Sequence, residues 1–291
     1  MKILAIESSG APASAAVAQD GLLLAEFTLR YKKTHSQTLL PMMEQIRKML
    51  ELDVRELDAV AVAGGPGSFT GLRIGSATAK GIGLAADLPL VHVPTLEAMA
   101  YNCYGSDRII VPMLDARRSQ VFAGIYTFAE DGGRIDVASA ESCAHNSVER
   151  GEGDLSEEGD ECSLSEECGE AVCFRDPLRV IMDQTPVDVK ELCRKVSRIC
   201  SEQGKEAVLL GDGAISYREL IGENLTAPHH FAPAHLNEQR AGSVAVRAMD
   251  MVKMGKTENA AAHRPDYLRV SQAERVRAEK ARGSEQEGPQ V

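Results

Sequence analysis

The sequence predicts an α/β protein in which mixed sheets are flanked by helices. Short apolar strands alternate with segments whose apolar residues recur at helical spacing. Asp20-Gly21 separates two apolar runs, which is typical of a β-hairpin. A glycine-rich stretch at 60–75 joins a predicted strand to a predicted helix. Strands and helices in this succession indicate sheets covered by helices.

The predicted elements follow one another closely in the first third of the chain and less regularly afterwards. The first part predicts a strand at 2–8, a hairpin at 15–29, a helix at 36–50, a strand at 58–63, a helix at 71–84, a strand at 88–93 and a helix from 95 through 101. The second part predicts strands at 108–114 and 120–128, a helix from 185 through 200, a strand at 206–210 and a helix at 240–254.

Composition limits the classes of function. With 291 residues and 44% hydrophobic content, the chain can form one large or two modest domains. Only 4% of the residues are aromatic and none is Trp, which argues against a stacking platform for single-stranded nucleic acid. The start is a predicted strand and no segment has the length of a membrane span, so we expect a cytoplasmic protein that makes no membrane contact.

The net charge of −11 originates largely in one acidic segment. Ten acidic residues lie between Glu149 and Glu170, and we expect a disordered insertion at about 145–175. Nucleic-acid mimicry is the alternative interpretation. The seven cysteines are Cys103, Cys143, Cys162, Cys168, Cys173, Cys193 and Cys200. No C-x-x-C occurs and the intervals inside the acidic segment are irregular, so free thiols are expected rather than a metal site.

The glycine-rich stretch has two interpretations. Its glycines are Gly64, Gly65, Gly67, Gly71 and Gly75. A glycine turn before a helix N-terminus can bind an anion such as phosphate. Alternatively, the small residues let two helices approach closely, within the chain or between subunits. The spacing matches neither GxxxxGK[ST] nor GxGxxG, which favours the packing interpretation. Ser68 is expected to cap the helix and not to act as a nucleophile, since it is not in a G-x-S-x-G turn.

Six motifs together resemble one family. They are MKILAIESS, HSQTLLP, AVAGGPGSFTGLRIG, PMLDARRSQVF, GDGA and PDYLRVSQAER, in that order. They resemble the TsaB (YeaZ-like) family, the partner subunit in bacterial synthesis of threonylcarbamoyladenosine in tRNA. The resemblance is dense over 1–128 and continues through short motifs from about 207 to 275.

The resemblance implies an actin, Hsp70 and sugar-kinase-like (ASKHA) fold with two subdomains. The boundaries that we expect are an N-terminal subdomain with partner-binding helices at 1–104 and a second subdomain at 105–235 that contains the acidic insertion. A C-terminal helix at 236–256 and a mobile tail at 257–291 complete the expected organisation.

The resemblance also implies a function without catalysis. Such a subunit binds TsaD, assembles with TsaE and tRNA, forms a homodimer when alone and needs no cofactor. The sister family, TsaD, holds a metal through two histidines four residues apart, and the matching positions here are Thr95 and Met99. Because neither is a histidine, we expect no metal site and no catalytic residue. A stand-alone glycoprotease-like hydrolase of the same superfamily is the alternative.

Two sets of residues are the candidate sites that the resemblance implies. The partner-binding residues are Leu39, Met43, Ile46, Gly71, Leu72, Gly75, Ser76 and Ala79. The residues of a vestigial phosphate loop are Ser8, Ser9, Gly211 and Gly213. We expect Gly75→Arg and Ala79→Arg to abolish pairing while the monomer stays folded. Arg117 and Arg118 either contact tRNA phosphate or pair with nearby carboxylates such as Asp115, and the pairing is favoured.

Overall fold

A computed structural model describes residues 1–129, 163–164, 173–174 and 176–268. Most of the insertion expected at about 145–175, and the part of the expected tail beyond residue 268, lie outside these residues. Cys103, Cys193 and Cys200 have free thiols. Within the described residues, no helix combines the length and the apolar character needed to cross a bilayer.

The first sheet is mixed, and its central strands are buried on both faces. It contains β1 (Lys2–Glu7), β2 (Ala13–Gln19), β3 (Leu22–Leu29), β4 (Ala59–Gly65) and β5 (Leu90–Pro94), in the order β3-β2-β1-β4-β5. Strand β1 pairs antiparallel with β2 and parallel with β4, and β4 pairs parallel with β5. The continuous apolar sequence of β4 fits this position, since helices cover both of its faces.

A second sheet repeats this strand order. Its strands are β6 (Ile109–Arg117), β7 (Gln120–Phe128), β10 (Leu178–Asp188), β11 (Ala207–Leu210) and β12 (His229–Phe231). Their order is β10-β7-β6-β11-β12, while β8 (Ser163–Leu164) and β9 (Cys173–Phe174) form a separate pair. In both sheets an antiparallel trio is extended by two parallel strands. The predicted class, two mixed sheets flanked by helices, is confirmed.

The first sheet is covered by helices on both faces. The α-helices of the described residues, over both sheets, are α1 (His35–Met49), α2 (Phe69–Ala86), α3 (Thr95–Ala100), α4 (Val189–Gln203), α5 (Asp212–Ser216), α6 (Arg218–Asn224), α7 (Ala234–Asn237) and α8 (Ala241–Lys253). Leu4 and Ile6 of β1 pack with α1 and α2 in one core, whereas Ile3 and Ala5 pack with α8 in another. The C-terminal helix α8 therefore returns to the first subdomain.

One predicted helix boundary is wrong by four residues. The helix expected to begin at Thr185 begins at Val189, because Thr185 and Pro186 continue strand β10 and lie opposite Ala123 and Phe122. The Asp188 carboxylate caps α4 by accepting the main-chain N–H groups of Lys190 and Glu191. Main-chain pairing with β7 therefore outweighs the sequence pattern at 185–188 that predicted the start of a helix.

The segment 257–268, expected to be mobile, is packed on the first subdomain. Leu90 and Glu258 exchange main-chain hydrogen bonds of 2.9 and 2.8 Å. The main-chain N–H of Asp266 donates to the oxygen of Gly64 across 2.7 Å. Main-chain hydrogen bonds hold this segment in place. Such bonds need no repeating apolar face, so the sequence of the segment shows no periodicity.

Candidate partner surface and phosphate-loop remnant

The glycine-rich turn between β4 and α2 is built around a helix cap. Ser68 Oγ accepts the main-chain N–H of Gly71 across 3.3 Å, as expected for the first residue before a helix. The Ser68 N–H donates to the main-chain oxygen of Ser9 across 2.6 Å. Ser68 is therefore a structural residue that joins this turn to the turn between β1 and β2.

The glycines of α2 provide close packing inside the chain. A Cβ atom at Gly71 would overlap the main-chain oxygen of Ser8, and one at Gly75 would overlap Ser8 Oγ. A Cβ atom at Gly83 would overlap the side chain of Leu90. The glycines therefore allow close packing within the chain, but against β5 and the β1–β2 turn and not between two helices as expected.

The residues assigned to partner binding are packed in this chain's own core. These residues are Leu39, Met43 and Ile46 of α1 and Gly71, Leu72, Gly75, Ser76 and Ala79 of α2, all buried. Even Met43 is only 9% exposed. Arginine at Gly75 or Ala79 would disrupt the monomer itself, so the expectation that these variants stay folded is corrected. Helical spacing identifies a packed face but does not reveal whether its partner is the same chain.

The opposite face of α2 remains exposed. We define the outer stripe of α2 as Ala77, Gly81, Leu84 and Ala85, all of which are exposed. Leu84 is 60% exposed, and a Cβ atom at Gly81 would meet no atom of the described residues within 4 Å apart from its own helix backbone. These positions lie on one side of the helix, since residues three or four apart are neighbours on a helix surface. Leu40 and Met49 of α1 add exposed apolar side chains.

The C-terminal segment reaches the beginning of α2. The guanidinium of Arg73 lies 4.0 Å from the ring centroid of Phe69, and its Nε donates to the Tyr267 hydroxyl across 3.3 Å. The rings of Phe69 and Tyr267 have centroids 4.8 Å apart. Arg73 thus lies over the Phe69 ring and is hydrogen-bonded to Tyr267 at the N-terminal end of α2.

A buried carboxyl group accepts a main-chain hydrogen bond in the turn that follows β1. Glu7 Oε1 accepts the main-chain N–H of Ser9 across 2.6 Å, and Ser8 Oγ donates to the main-chain oxygen of Gly71 across 2.8 Å. Burial raises the pKa of Glu7 to about 7, and hydrogen bonds from Ser9 and Ser8 oppose the rise. An N–H group that could meet a phosphate is therefore engaged by an acidic side chain of the chain itself.

Two buried amide side chains occupy the neighbourhood of the predicted phosphate loops. A Cβ atom at Gly10 would lie 2.5 Å from Gln239 Nε2, and the Gly211 N–H donates to Asn237 Oδ1 across 3.1 Å. Asn237 and Gln239 are each 4% exposed. The segment before α8 thus contacts both loops.

Sequence reasoning missed this role of Asn237 and Gln239. Their only signal is the occurrence of two amides directly before an amphipathic helix. Gly213, the other glycine of the second predicted loop, packs tightly against the main chain at Met113 and Leu114 and the side chain of Val121.

The two positions expected to match the TsaD histidines belong to the core. Thr95 and Met99 of α3 are 0% and 1% exposed. Thr95 Oγ1 accepts the main-chain N–H of Gly65 across 3.2 Å. His35 Nε2 lies 3.4 Å from the main-chain oxygen of Ala11.

The corner between β6 and β7 differs from the expected ion pair. Asp115 Oδ1 accepts the main-chain N–H of Arg117 across 2.7 Å and the Tyr217 hydroxyl across 2.8 Å. Arg117, Arg118 and Ser119 have positive φ angles of 64°, 58° and 58°. The carboxylate of Asp115 therefore stabilises the turn through the main chain, and both arginine side chains are exposed.

The two sheets with their repeated strand order define an ASKHA-type protein. The family model described as TsaD, tRNA N6-adenosine threonylcarbamoyltransferase, matches residues 23–275. The chain belongs to this family, and within it the chain is TsaB/YeaZ-like.

Similarity to individual proteins supports this placement. The tRNA threonylcarbamoyladenosine biosynthesis protein TsaB of Bacillus subtilis is 36% identical over 128 residues, which are 44% of this chain and 56% of that protein. TsaB of Escherichia coli is 37% identical over 135 residues, 45% of this chain and 58% of that protein. The chain thus spans little more than half the length of these curated relatives.

Solved structures share the fold over a longer range. A Pseudomonas aeruginosa protein described as similar to peptidase YeaZ has a TM-score of 0.64 at 20% identity. The superposition covers 92% of this chain and 99% of that one. YeaZ from the same organism has a TM-score of 0.59 at 19% identity, again with 92% and 99% coverage.

Proposed function

We propose that this chain is a non-catalytic subunit that binds a TsaD-type threonylcarbamoyltransferase. In this role it supports transfer of the threonylcarbamoyl group to the adenosine next to the anticodon of tRNA, in a complex with TsaE. The observation that carries the proposal is the burial in the core of Thr95 and Met99, the two positions that the resemblance matches to the TsaD histidine pair. The proposed location is the cytoplasm, where tRNA is modified.

Burial at these two positions argues against a catalytic metal on α3. Neither threonine nor methionine is a usual ligand for a catalytic divalent ion. The Thr95 hydroxyl already accepts a hydrogen bond from Gly65 N–H, and the Met99 side chain is enclosed by the core of the second sheet. A metal-dependent transfer at this helix would need ligands that the chain does not provide there.

The phosphate-loop remnant argues against nucleotide binding by the chain alone. The Glu7 carboxyl group occupies the Ser9 N–H, and the Gln239 amide packs against Gly10. A phosphate at this turn would have to displace a hydrogen-bonded acidic side chain. A stand-alone hydrolase with Ser68 as nucleophile is also disfavoured, since Ser68 Oγ caps α2.

Binding is the remaining activity, and the outer stripe of α2 supports it. Small exposed residues such as Ala77 and Gly81 allow a partner helix to approach the backbone closely, while Leu84 adds apolar area. We propose that TsaD packs a helix against this stripe and against the exposed face of α1. A second copy of the chain would use the same surface when TsaD is absent.

Co-purification and sedimentation with cognate TsaD test the proposed contact. Ala77→Arg places a long charged side chain on the outer stripe without entering the core, and we expect at least a tenfold loss of affinity. Ser201→Arg is the matched control, because Ser201 is an exposed position on helix α4 of the other subdomain. Undiminished pairing of Ala77→Arg, with its fold intact by circular dichroism, would refute the location of the interface.

A further inference from the structure

Two histidines and a carboxylate from distant parts of the chain meet on the first subdomain. His92 lies on β5, whereas Glu258 and His263 belong to the segment that follows α8. Each offers one nitrogen or oxygen atom, and these three atoms lie within 4.8 Å of one another. His92 is far from Glu258 and His263 in sequence, so a search for a second ligand at helical spacing does not find them.

One ring nitrogen of each histidine in this cluster is buried and has no hydrogen-bond partner among the described residues. His263 is 1% exposed and its Nδ1 lies 2.5 Å from Glu258 Oε1, whereas its Nε2 is the nitrogen without a partner in the described part of the chain. The corresponding nitrogen of His92 is Nε2, and Asp266 Oδ2 lies 3.2 Å from it. A buried polar atom without a partner is costly, so a ligand that engages both rings would be favoured.

The main chain around the cluster is well anchored. Leu90 and Glu258 exchange two main-chain hydrogen bonds. Lys80 Nζ of α2 donates to the main-chain oxygens of Ala261 and His263, each across 3.0 Å. The Asn259 side chain accepts the Ala261 N–H across 2.8 Å. These bonds hold the segment against β5 and α2 and so fix the main chain that carries Glu258 and His263.

We propose that His92, Glu258 and His263 bind a divalent transition-metal ion of the Zn²⁺ class. Two imidazoles and one carboxylate are a common donor set for zinc, which forms bonds of about 2.0–2.2 Å to such atoms. The carboxylate of Asp266 lies next to one of these ligands, with its Oδ2 3.2 Å from His92 Nε2. A cluster of exposed carboxylates alone would instead favour Ca²⁺ or Mg²⁺.

The ion would attach the C-terminal segment to the body of the first subdomain. Its ligands lie on β5 and on both sides of the turn at 259–262, and Asp266 N–H bonds to Gly64 in the glycine-rich turn. Binding therefore stabilises the segment that also places Tyr267 against Arg73 and Phe69. The role of the site is structural and independent of the proposed transfer function.

Zinc titration of the metal-free full chain against a chromophoric chelator tests the site. We expect the wild type to bind one more equivalent than His92→Ala or His263→Ala, and Glu258→Gln to bind at least tenfold more weakly. His230→Ala is the matched control with unchanged binding, because His230 Nε2 lies 3.1 Å from Glu206 Oε2 on the other subdomain, outside the cluster. Any zinc bound by the seven cysteines is the same in the wild type and in the variants, so the test compares only the difference in zinc stoichiometry between them.

Thermal unfolding provides a second readout. Zinc is expected to raise the Tm of the wild type and of His230→Ala, and to leave that of His92→Ala unchanged. If His263→Ala fails to fold because His263 is buried, the test relies on His92→Ala and Glu258→Gln, whose positions are partly exposed. Equal zinc stoichiometry and equal Tm shifts in the wild type, His92→Ala and Glu258→Gln would overturn the proposal.

Discussion

The hydroxyl of Ser8 donates a buried hydrogen bond of 2.8 Å to the main-chain oxygen of Gly71. This bond joins the turn after β1 to the first turn of α2. It exists only because residue 71 has no side chain, since a Cβ atom there would overlap the main-chain oxygen of Ser8. The exposed helix face is thus positioned by a glycine contact on the opposite, buried face.

Gly71→Ala and Gly81→Ala are expected to have opposite effects on stability. The first forces the β1–β2 turn away from α2 and should cost about 1–3 kcal/mol. The second fills open space at a helical position and should stabilise the protein by about 0.5–1 kcal/mol. Urea unfolding of both variants measures the difference, and destabilisation by Gly81→Ala would indicate that the outer stripe is covered within the chain.

Glu7 should make stability depend on pH. Its pKa is raised from 4.5 to about 7 by burial, so between these values the native state binds more protons than the unfolded state. Stability from this group is therefore complete below about pH 4.5 and is lost as the pH rises to about 7. The shift corresponds to roughly 3 kcal/mol at most.

Glu7→Gln removes this dependence while it retains the shape of the side chain. The difference in free energy of unfolding between pH 5 and pH 8 should be smaller in this variant than in the wild type. Glu223→Gln, at an exposed position of α6, is the control and should leave the difference unchanged. Parallel pH profiles for the wild type and Glu7→Gln would contradict the raised pKa.

Arg247 connects helix α8 to residues of both subdomains. Its side chain, 3% exposed, forms ion pairs with Glu97 at 2.7 Å and with Asp176 at 2.6 Å. Arg247→Met leaves two partly buried carboxylates without their counter-ion and should cost about 3–5 kcal/mol. Arg55→Met breaks an exposed pair with Asp53, which water screens, and should leave the midpoint of urea unfolding almost unchanged. Equal midpoints of urea unfolding for the two variants would show that the Arg247 network contributes little.

The outline of the fold could be predicted because local patterns specify it. The hairpin at Asp20-Gly21, the helices at 36–50 and 71–84 and strand 120–128 coincide closely with the observed elements. The Ser68 cap was also predictable, since a hydroxyl before a helix satisfies its first N–H groups.

Contacts between distant segments could not be predicted from one sequence. The apolar spacing of α1 and α2 is the same whether the opposing surface is the chain's own sheet or another subunit. His92 and His263 are brought together by a segment that has no periodic pattern. Thr185 and Pro186 become strand because β7 offers main-chain partners. In each case the deciding interaction lies far away in sequence.

Threonylcarbamoyl transfer to tRNA is the most direct measurement of the central claim. Cognate TsaD and TsaE receive threonylcarbamoyl-adenylate, ATP and tRNA, either without this chain or with the wild type, Ala77→Arg or Ser201→Arg. We expect transfer with the wild type and with Ser201→Arg, little with Ala77→Arg, and none from the chain alone. Equal transfer in the presence and absence of the chain would contradict its role as a required non-catalytic partner.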